Sequence, residues 1–318
     1  MPDRATNGAA RPRATGVGTV LDAADRTGAT TLPMPRSSSE PLQPQDLLIT
    51  LFGAFVARKH QAVWSGGLVD LLNQMGFSDG GARIALARLV NRGLLKRQKR
   101  GRLVYYAVSP RLKRLLAEGD RRIFGLGMAV ERWDGRWTML WHAIPETRRV
   151  ERARLGRRLR FLGFGSVQDG TWISPHNRER DVFELLGDLG VAKHAGVLIG
   201  RPAKELDLAA MIERAWDLED LALRYESFVE TYGTYCSKPI HDDLSDRDAF
   251  LVRTCIVHAF RRFPFVDPDL PDELMVRNVP RRDSAEIFHD VYDRLEEPAQ
   301  RYFDARVTHA GTNNYKIL

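Results

Sequence analysis

The chain has 318 residues, 43% of them hydrophobic, and 48 Lys and Arg against 41 Asp and Glu give a formal charge of +7. Two or three domains are expected at that length, and the basic balance favours an acidic partner such as nucleic acid. Cys236 and Cys255 are isolated, without CxxC or metal-ligand spacing; one disulfide is conceivable, but reduced thiols are the expectation. No apolar run approaches the roughly 18 residues of a membrane span, and the N-terminus lacks the continuous apolar segment of a secretory signal. A soluble, cytoplasmic protein with no membrane partner is therefore expected.

Residues 1–43 are rich in Ala, Gly, Thr, Pro, Ser and Arg and read as a disordered tail. Leu47, Leu48, Leu51, Phe52 and Phe55 predict a first helix over 45–56. Residues 65–76 predict a short helix closed by Gly76. The turn Phe77-Ser78-Asp79-Gly80 supplies N-cap residues for a second helix over about 81–92. In it Ala82, Ala85, Leu86, Leu89 and Val90 form one apolar stripe, with Arg83, Ile84, Ala87, Arg88 and Asn91 opposite. Strand-like runs at 94–98 and 102–108 flank Lys99-Arg100-Gly101 and predict a hairpin with a basic tip.

Helix, turn, helix and basic hairpin in that order predict a winged helix-turn-helix that places its second helix in a major groove. Between Asp79 and Tyr106 stand eight Arg or Lys and one Asp, an excess equal to the net charge of the whole chain. Such a cluster makes binding to double-stranded DNA steeply salt-dependent. Arg83, Arg88 and Asn91 are the candidates for base or phosphate contact, and Arg92 for phosphate. Lys96, Arg97, Lys99, Arg100 and Arg102 are candidates to grip the backbone or minor groove. Tyr105 and Tyr106 alternate across a strand, so one is expected to pack inward and the other to face DNA. The bland alternative is a solvated charged face on a small helical domain.

Ser109-Pro110 opens a further helix to about residue 124, and Gly125 and Gly127 suggest a hinge. A strand over 136–144 follows, then a basic helix over 146–162 carrying Arg148, Arg149, Arg152, Arg154, Arg157, Arg158 and Arg160. A hairpin around Asp169-Gly170, a helix over 177–189 and a strand over 194–199 complete a βαββαβ order, which is ferredoxin-like. Residues 207–304 are helical in pattern apart from the turn Asp267-Pro268-Asp269-Leu270-Pro271. The expected fold is α+β, with a tail (1–43), a winged helix-turn-helix (44–124), a ferredoxin-like middle domain (125–203) and a helical C-terminal domain (204–318). Trp133, Trp137, Trp141 and Trp172 are expected to fill the core and domain interfaces, or to stack on an aromatic ligand.

Several segments carry a resemblance. They are 47–56, Gly119-Asp120-Arg121-Arg122-Ile123-Phe124, Trp133-Asp134-Gly135-Arg136-Trp137, Arg160-Phe161-Leu162-Gly163-Phe164-Gly165, Thr171-Trp172-Ile173-Ser174-Pro175, and 253–271 with His258-Ala259-Phe260-Arg261-Arg262. In that order they resemble the PaaX family of bacterial transcriptional repressors over roughly residues 44–305. The resemblance implies a homodimeric repressor of aromatic catabolism genes, chiefly phenylacetate degradation, released from its DNA operator by phenylacetyl-CoA. It also implies a middle domain similar to the Cas2 ferredoxin-like fold. The chain departs from the family pattern at Val279-Pro280-Arg281, where Trp-Pro-Gly is expected.

An acyl-CoA effector needs cations for its phosphates. Arg157 and Arg158 are candidates, beside readings of their helix as a solvated face partnered by Glu146 and Glu151 or as a second DNA surface. Arg253, His258, Arg261 and Arg262 form the other group, lining a pocket with the Asp267 and Asp269 turn or making interhelical salt bridges. His241-Asp242-Asp243 reads as a cation site or, more simply, as a helix cap. No GxSxG elbow, Walker loop, dinucleotide fingerprint or HExxH is present, so no catalytic residue, metal or cofactor is expected and the chain does not read as an enzyme. Two alternatives stand beside the repressor. One is a Cas2-like metal-dependent nuclease, for which Asp134 precedes the first strand instead of ending it. The other is an effector-independent DNA-bridging protein.

Overall fold

The computed structural model describes residues 33–34, 42–128, 133–237 and 243–308. The tail apart from four residues, and His241 and Asp242 of the possible cation site, lie outside the described residues. Helix α1 (Pro44–Leu51) starts with proline in its first turn and runs into a π turn, Phe52–Val56, so that Leu47, Leu48, Leu51, Phe52, Phe55 and Val56 are all buried. Strand β1 (Val63–Trp64) and helix α2 (Ser65–Gln74) follow. Helix α3 (Asp79–Asn91) begins two residues before the sequence expectation, because the Ser78 hydroxyl accepts from the Gly81 amide at 3.2 Å and caps it. Its stripe Ala82, Ala85, Leu86 and Leu89 is buried.

The hairpin pairs β2 (Leu95–Arg100) with β3 (Leu103–Val108) from Leu95↔Val108 to Arg100↔Leu103. Lys99 and Arg100 belong to the strand and not to the turn, which is Gly101-Arg102; Gly101 takes φ +59°, where glycine carries no Cβ penalty. Strand β1 pairs with the other edge of β3, giving the order β1-β3-β2. Helix, strand, two helices and a sheet-forming hairpin are the connectivity of a winged helix. Tyr105 and Tyr106 correct an expectation, since both are buried, at 3% and 9% exposure. Tyr105 lies opposite both Trp64 and Gln98 in a central strand, and the Arg100 guanidinium covers its ring at 4.9 Å.

Helix α4 (Pro110–Gly125), capped by Ser109, leads out of this unit. Gly127, expected to serve as a hinge, takes φ +74° where an added Cβ would stand 3.2 Å from the Arg281 carbonyl, so it permits a close approach. Then come β4 (Trp137–His142), α5 (Arg149–Phe161), β5 (Gly165–Gln168), β6 (Thr171–Ser174), α6 (Glu179–Asp188) and β7 (Ala195–Gly200). The antiparallel order β5-β6-β4-β7 is ferredoxin-like. Its core joins Leu140, Leu155, Leu159, Phe164, Val182 and Leu186. Trp137 and Trp172 are buried as expected, but Trp141 is 47% exposed: its neighbour Leu140 points into the core, and alternation turns Trp141 to the opposite sheet face.

The rest is helical: α7 (Leu208–Ala215), α8 (Leu218–Tyr232), α9 (Asp246–Phe260), a turn Phe263–Val266, α10 (Arg281–Arg294) and α11 (Glu296–Val307). Helix α9 is buried almost all round and packs on α11, α10 and α1. Phe55 from the π turn stacks on Phe303 at 5.1 Å and meets Phe250 at 5.3 Å, which inserts the N-terminal unit into the C-terminal aromatic core. Helix α11 covers α2. A Cβ at Gly67 would overlap the Arg306 carbonyl, Tyr302 donates to Gln74 at 2.6 Å, and Arg306 pairs with Asp70 at 3.0 Å.

The proline turn is fixed by a buried ion pair. Asp267 is fully buried and accepts from Arg281 Nε and Nη2, both at 2.8 Å, from the Tyr225 hydroxyl at 2.6 Å and from the Asp269 amide at 2.6 Å. Burial works against the Arg281 charge, but the adjacent Asp267 carboxylate outweighs it and holds the guanidinium above its ordinary pKa. The turn also meets the ferredoxin-like unit, where His176 Nε2 donates to the Asp269 carbonyl at 2.7 Å.

Candidate functional site

The exposed side of α3 and the wing form one basic surface. Arg83, Arg88, Asn91 and Arg92 are exposed, together with Ile84. Lys96, Arg97, Lys99, Arg100 and Arg102 are exposed along the hairpin. Arg83 donates to Asp79 one turn back at 2.9 Å, while Arg100 reaches the Gln98 amide oxygen at 3.4 Å. The other cations of this set form no ion pair among the described residues, so their charge is left for an external anion. Each DNA candidate chosen from sequence thus faces solvent, on or just after a helix seated by its buried stripe or along the hairpin.

A second feature has no sequence signature. A cavity of about 810 Å³ opens where three regions of the chain meet, within the size range of small-molecule sites. Helix α1 with its π turn and helix α4 supply Ile49, Gly53, Leu112, Leu115, Leu116, Ile123 and Phe124; α5 supplies Arg158 and Phe161; the C-terminal region supplies Arg253, Val257, Arg261, Phe265 and Tyr292. Arg92 and Leu94, just past the end of α3, also border it. At its rim Arg58 pairs with Asp120 at 3.4 Å, Lys59 with Glu296 at 2.7 Å and Arg158 with Glu118 at 3.6 Å. Burial raises the Asp120 pKa against the pull of Arg58, while the hydrogen bond from Lys59 lowers that of Glu296.

The structure divides the effector candidates. Arg158, Arg253 and Arg261 border the cavity; Arg157, His258 and Arg262 do not. Arg157 is exposed with no partner among the described residues. His258 is buried behind the wall, its Nδ1 at 3.3 Å from Thr50 Oγ1, and burial, then Arg261 and Arg262, push its pKa down to about 3. Asp267 and Asp269 correct an expectation: they face Arg281 and not the 253–262 group. Arg281 stands in the segment that departs from the family pattern, and that departure was the one available signal for its role. At the start of α5, Arg152–Glu146 at 2.6 Å and Arg148–Glu151 at 3.5 Å are the surface pairs of the solvated-face reading.

Asp134, the aspartate considered for a nuclease, lies before β4 with an exposed side chain and accepts from the Arg136 amide at 2.8 Å. Among the described residues no group of three His, Cys, Asp or Glu side chains converges as a metal site. Cys236 and Cys255 are free thiols. No helix of the described residues is long and apolar enough to cross a membrane.

Comparison with known proteins meets this architecture region by region. Residues 43–112 match the PaaX-like protein family, 130–212 the PaaX protein central Cas2-like domain, and 216–305 the PaaX-like protein C-terminal domain. The transcriptional repressor PaaX of Escherichia coli (strain K12) is 26% identical over 264 residues, covering 81% of this chain and 82% of the relative. The solved structure of the uncharacterized protein Rv0674 from Mycobacterium tuberculosis shares the fold, with a TM-score of 0.50 and 23% identity over 83% of this chain and 98% of its own. With all three regions matched in the order in which they fold here, the chain belongs to the PaaX family.

Proposed function

We propose that this protein is a transcriptional repressor that binds an operator through α3 and the wing and is released by an aryl acyl-CoA such as phenylacetyl-CoA. The observation that carries the first half is the basic surface of α3 and the hairpin, where Arg83 alone has an ion-pair partner among the described residues, in a chain similar to a repressor along most of its length. Arg83, Arg88 and Asn91 suit base edges, and Arg92 with the wing cations suits phosphates. A homodimer would set two recognition helices in successive major grooves of an imperfect palindrome.

The cavity supports the second half. Its walls are apolar and aromatic, suited to an aryl acyl group, and Arg58, Lys59, Arg92 and Arg158 at its border suit phosphates. It also touches the segment that ends the recognition helix. A ligand that favours a different seating of α4 against α1 therefore moves α3, and DNA must weaken ligand binding by the same factor.

The test is binding to DNA from upstream of the protein's own gene, titrated at fixed salt with phenylacetyl-CoA and with free phenylacetate. Loss of the complex with the thioester alone is the expected result. Binding indifferent to the thioester keeps the repressor and removes this effector; no specific binding removes the repressor.

A further inference from the structure

Helices α1 and α9 meet along a seam that is polar where a buried seam is ordinarily apolar. Arg253 and Val257 on α9 and Arg261 at its C-terminal cap lie at i, i+4 and i+8 and border the cavity; Asp46 and Thr50 on α1 and Ala54 in the π turn that continues it border it too. Arg253 is 1% exposed. Its Nε donates to the Tyr292 carbonyl at 3.0 Å and its Nη1 to the Ala54 carbonyl at 3.4 Å, while the Phe55 and Tyr292 rings hold its guanidinium at 5.1 and 4.0 Å. Arg261 Nη1 donates to the Asp46 carbonyl at 2.9 Å and to Thr50 Oγ1 at 2.8 Å. Neither arginine forms an ion pair with a carboxylate of the described residues, although Asp293 and Glu296 lie near the first and Asp46 near the second.

A buried and a half-buried cation resting on neutral oxygens, beside a cavity large enough for a ligand, are an unfinished electrostatic arrangement. A carboxylate or phosphate offers a guanidinium an opposite charge and a bidentate geometry that a neutral carbonyl lacks, so an anion that reaches either guanidinium competes with the α1 backbone. We infer that Arg253 and Arg261 are an anion-operated latch: acidic groups of a ligand, phosphate or carboxylate, draw both guanidinium groups off the carbonyls of α1 and its π turn and loosen the DNA-binding unit from α9. The two positions lie about 12 Å apart along the helix, which suits an elongated ligand bearing acidic or strongly polar groups at more than one point. This deepens, and rests on, the placement of the effector in the same cavity.

The test is amide hydrogen exchange over residues 44–56 of the full chain, in the wild type and in Arg253→Gln/Arg261→Gln. Inorganic pyrophosphate is compared with sodium chloride at equal ionic strength, and phenylacetyl-CoA is tested separately. The wild type should exchange roughly tenfold faster across α1 when the anion binds, with the β4–β7 sheet unchanged. The double variant should exchange fast from the start and not respond. If it does not fold, Arg261→Gln alone, at the half-buried end of the seam, carries the same comparison. An α1 that responds to neither ligand, or responds equally in the variant, overturns the latch. A response to pyrophosphate and not to the thioester keeps the latch and removes the acyl-CoA.

Discussion

Replacing Arg281 by methionine tests the account of the proline turn most sharply. Asp267 has no solvent exposure and accepts four hydrogen bonds, two of them from Arg281. Without Arg281 the carboxylate keeps only the Tyr225 hydroxyl and the Asp269 amide and has no counter-charge. Breaking a buried pair from one side costs about 3–5 kcal/mol, and the two remaining donors place this site near the lower end, at roughly 3 kcal/mol. Equilibrium unfolding in urea should show that loss as a lower midpoint. Adding Asp267→Asn removes the stranded charge and should return about 2 kcal/mol, because the amide oxygen still accepts from Tyr225. A single-variant loss below about 1 kcal/mol, with no recovery in the double variant, would refute the claim that this carboxylate is dry and held by Arg281.

Removing Arg83, Arg88 and Arg100 together should abolish specific operator binding and leave the thermal midpoint unchanged, since all three are exposed; unchanged affinity would discard the basic surface as the reading head. Each lost phosphate contact should also flatten the slope of log K against log salt by about one. Arg158→Gln should weaken the effector response and Arg157→Gln should not, because only Arg158 borders the cavity; equal responses would move the ligand elsewhere. Gly67→Ala forces a methyl into the Arg306 carbonyl and should cost about 1–3 kcal/mol in thermal unfolding. His258, held down to about 3, contributes stability that is complete above its unfolded value near 6.5 and is lost as pH falls toward 3. Stability curves of His258→Gln should therefore be flatter than wild type between pH 6.5 and 3, by on the order of 4 kcal/mol at the acid end.

Local periodicity made much of the fold legible. The α3 stripe, the caps at Ser78 and Ser109 and each element of the βαββαβ order are written in short local runs, and the structure places them close to where the sequence does. Strand β1 was not readable, because two residues carry no period and exist only through pairing with Tyr105 and Tyr106. The wing turn was misplaced for a related reason: Lys99 and Arg100 look like turn residues until the register with Val104 and Leu103 is known. The cavity was invisible, since its lining runs from Asp46 to Glu296 and no segment holds more than a fraction of it. Arg253 and Arg261 could be selected as cations at helical spacing, but their carbonyl partners on α1 lie about two hundred residues earlier. Nor does the sequence separate Arg158 from Arg157, which only the packing of α5 distinguishes.

The cover that α11 places over α2 has a consequence for how the molecule is made. Arg306 and Asp70, and Gln300 and the Phe55 carbonyl, are joined across 236 and 245 positions of chain. A ribosome adding 5–20 residues per second therefore leaves the reading head without its last supporting helix for on the order of 10–50 seconds. During that interval the flank of α2 around Gly67 and the face of Phe55 that stacks on Phe303 stay uncovered. A message cut short before α11 yields a protein in which Gly67, Asp70 and Gln74 of α2 lack the contacts that Arg306 and Tyr302 supply. The basic face proposed to read DNA thus gains its last support only in chains translated through residue 307, a dependence that follows from where one helix packs.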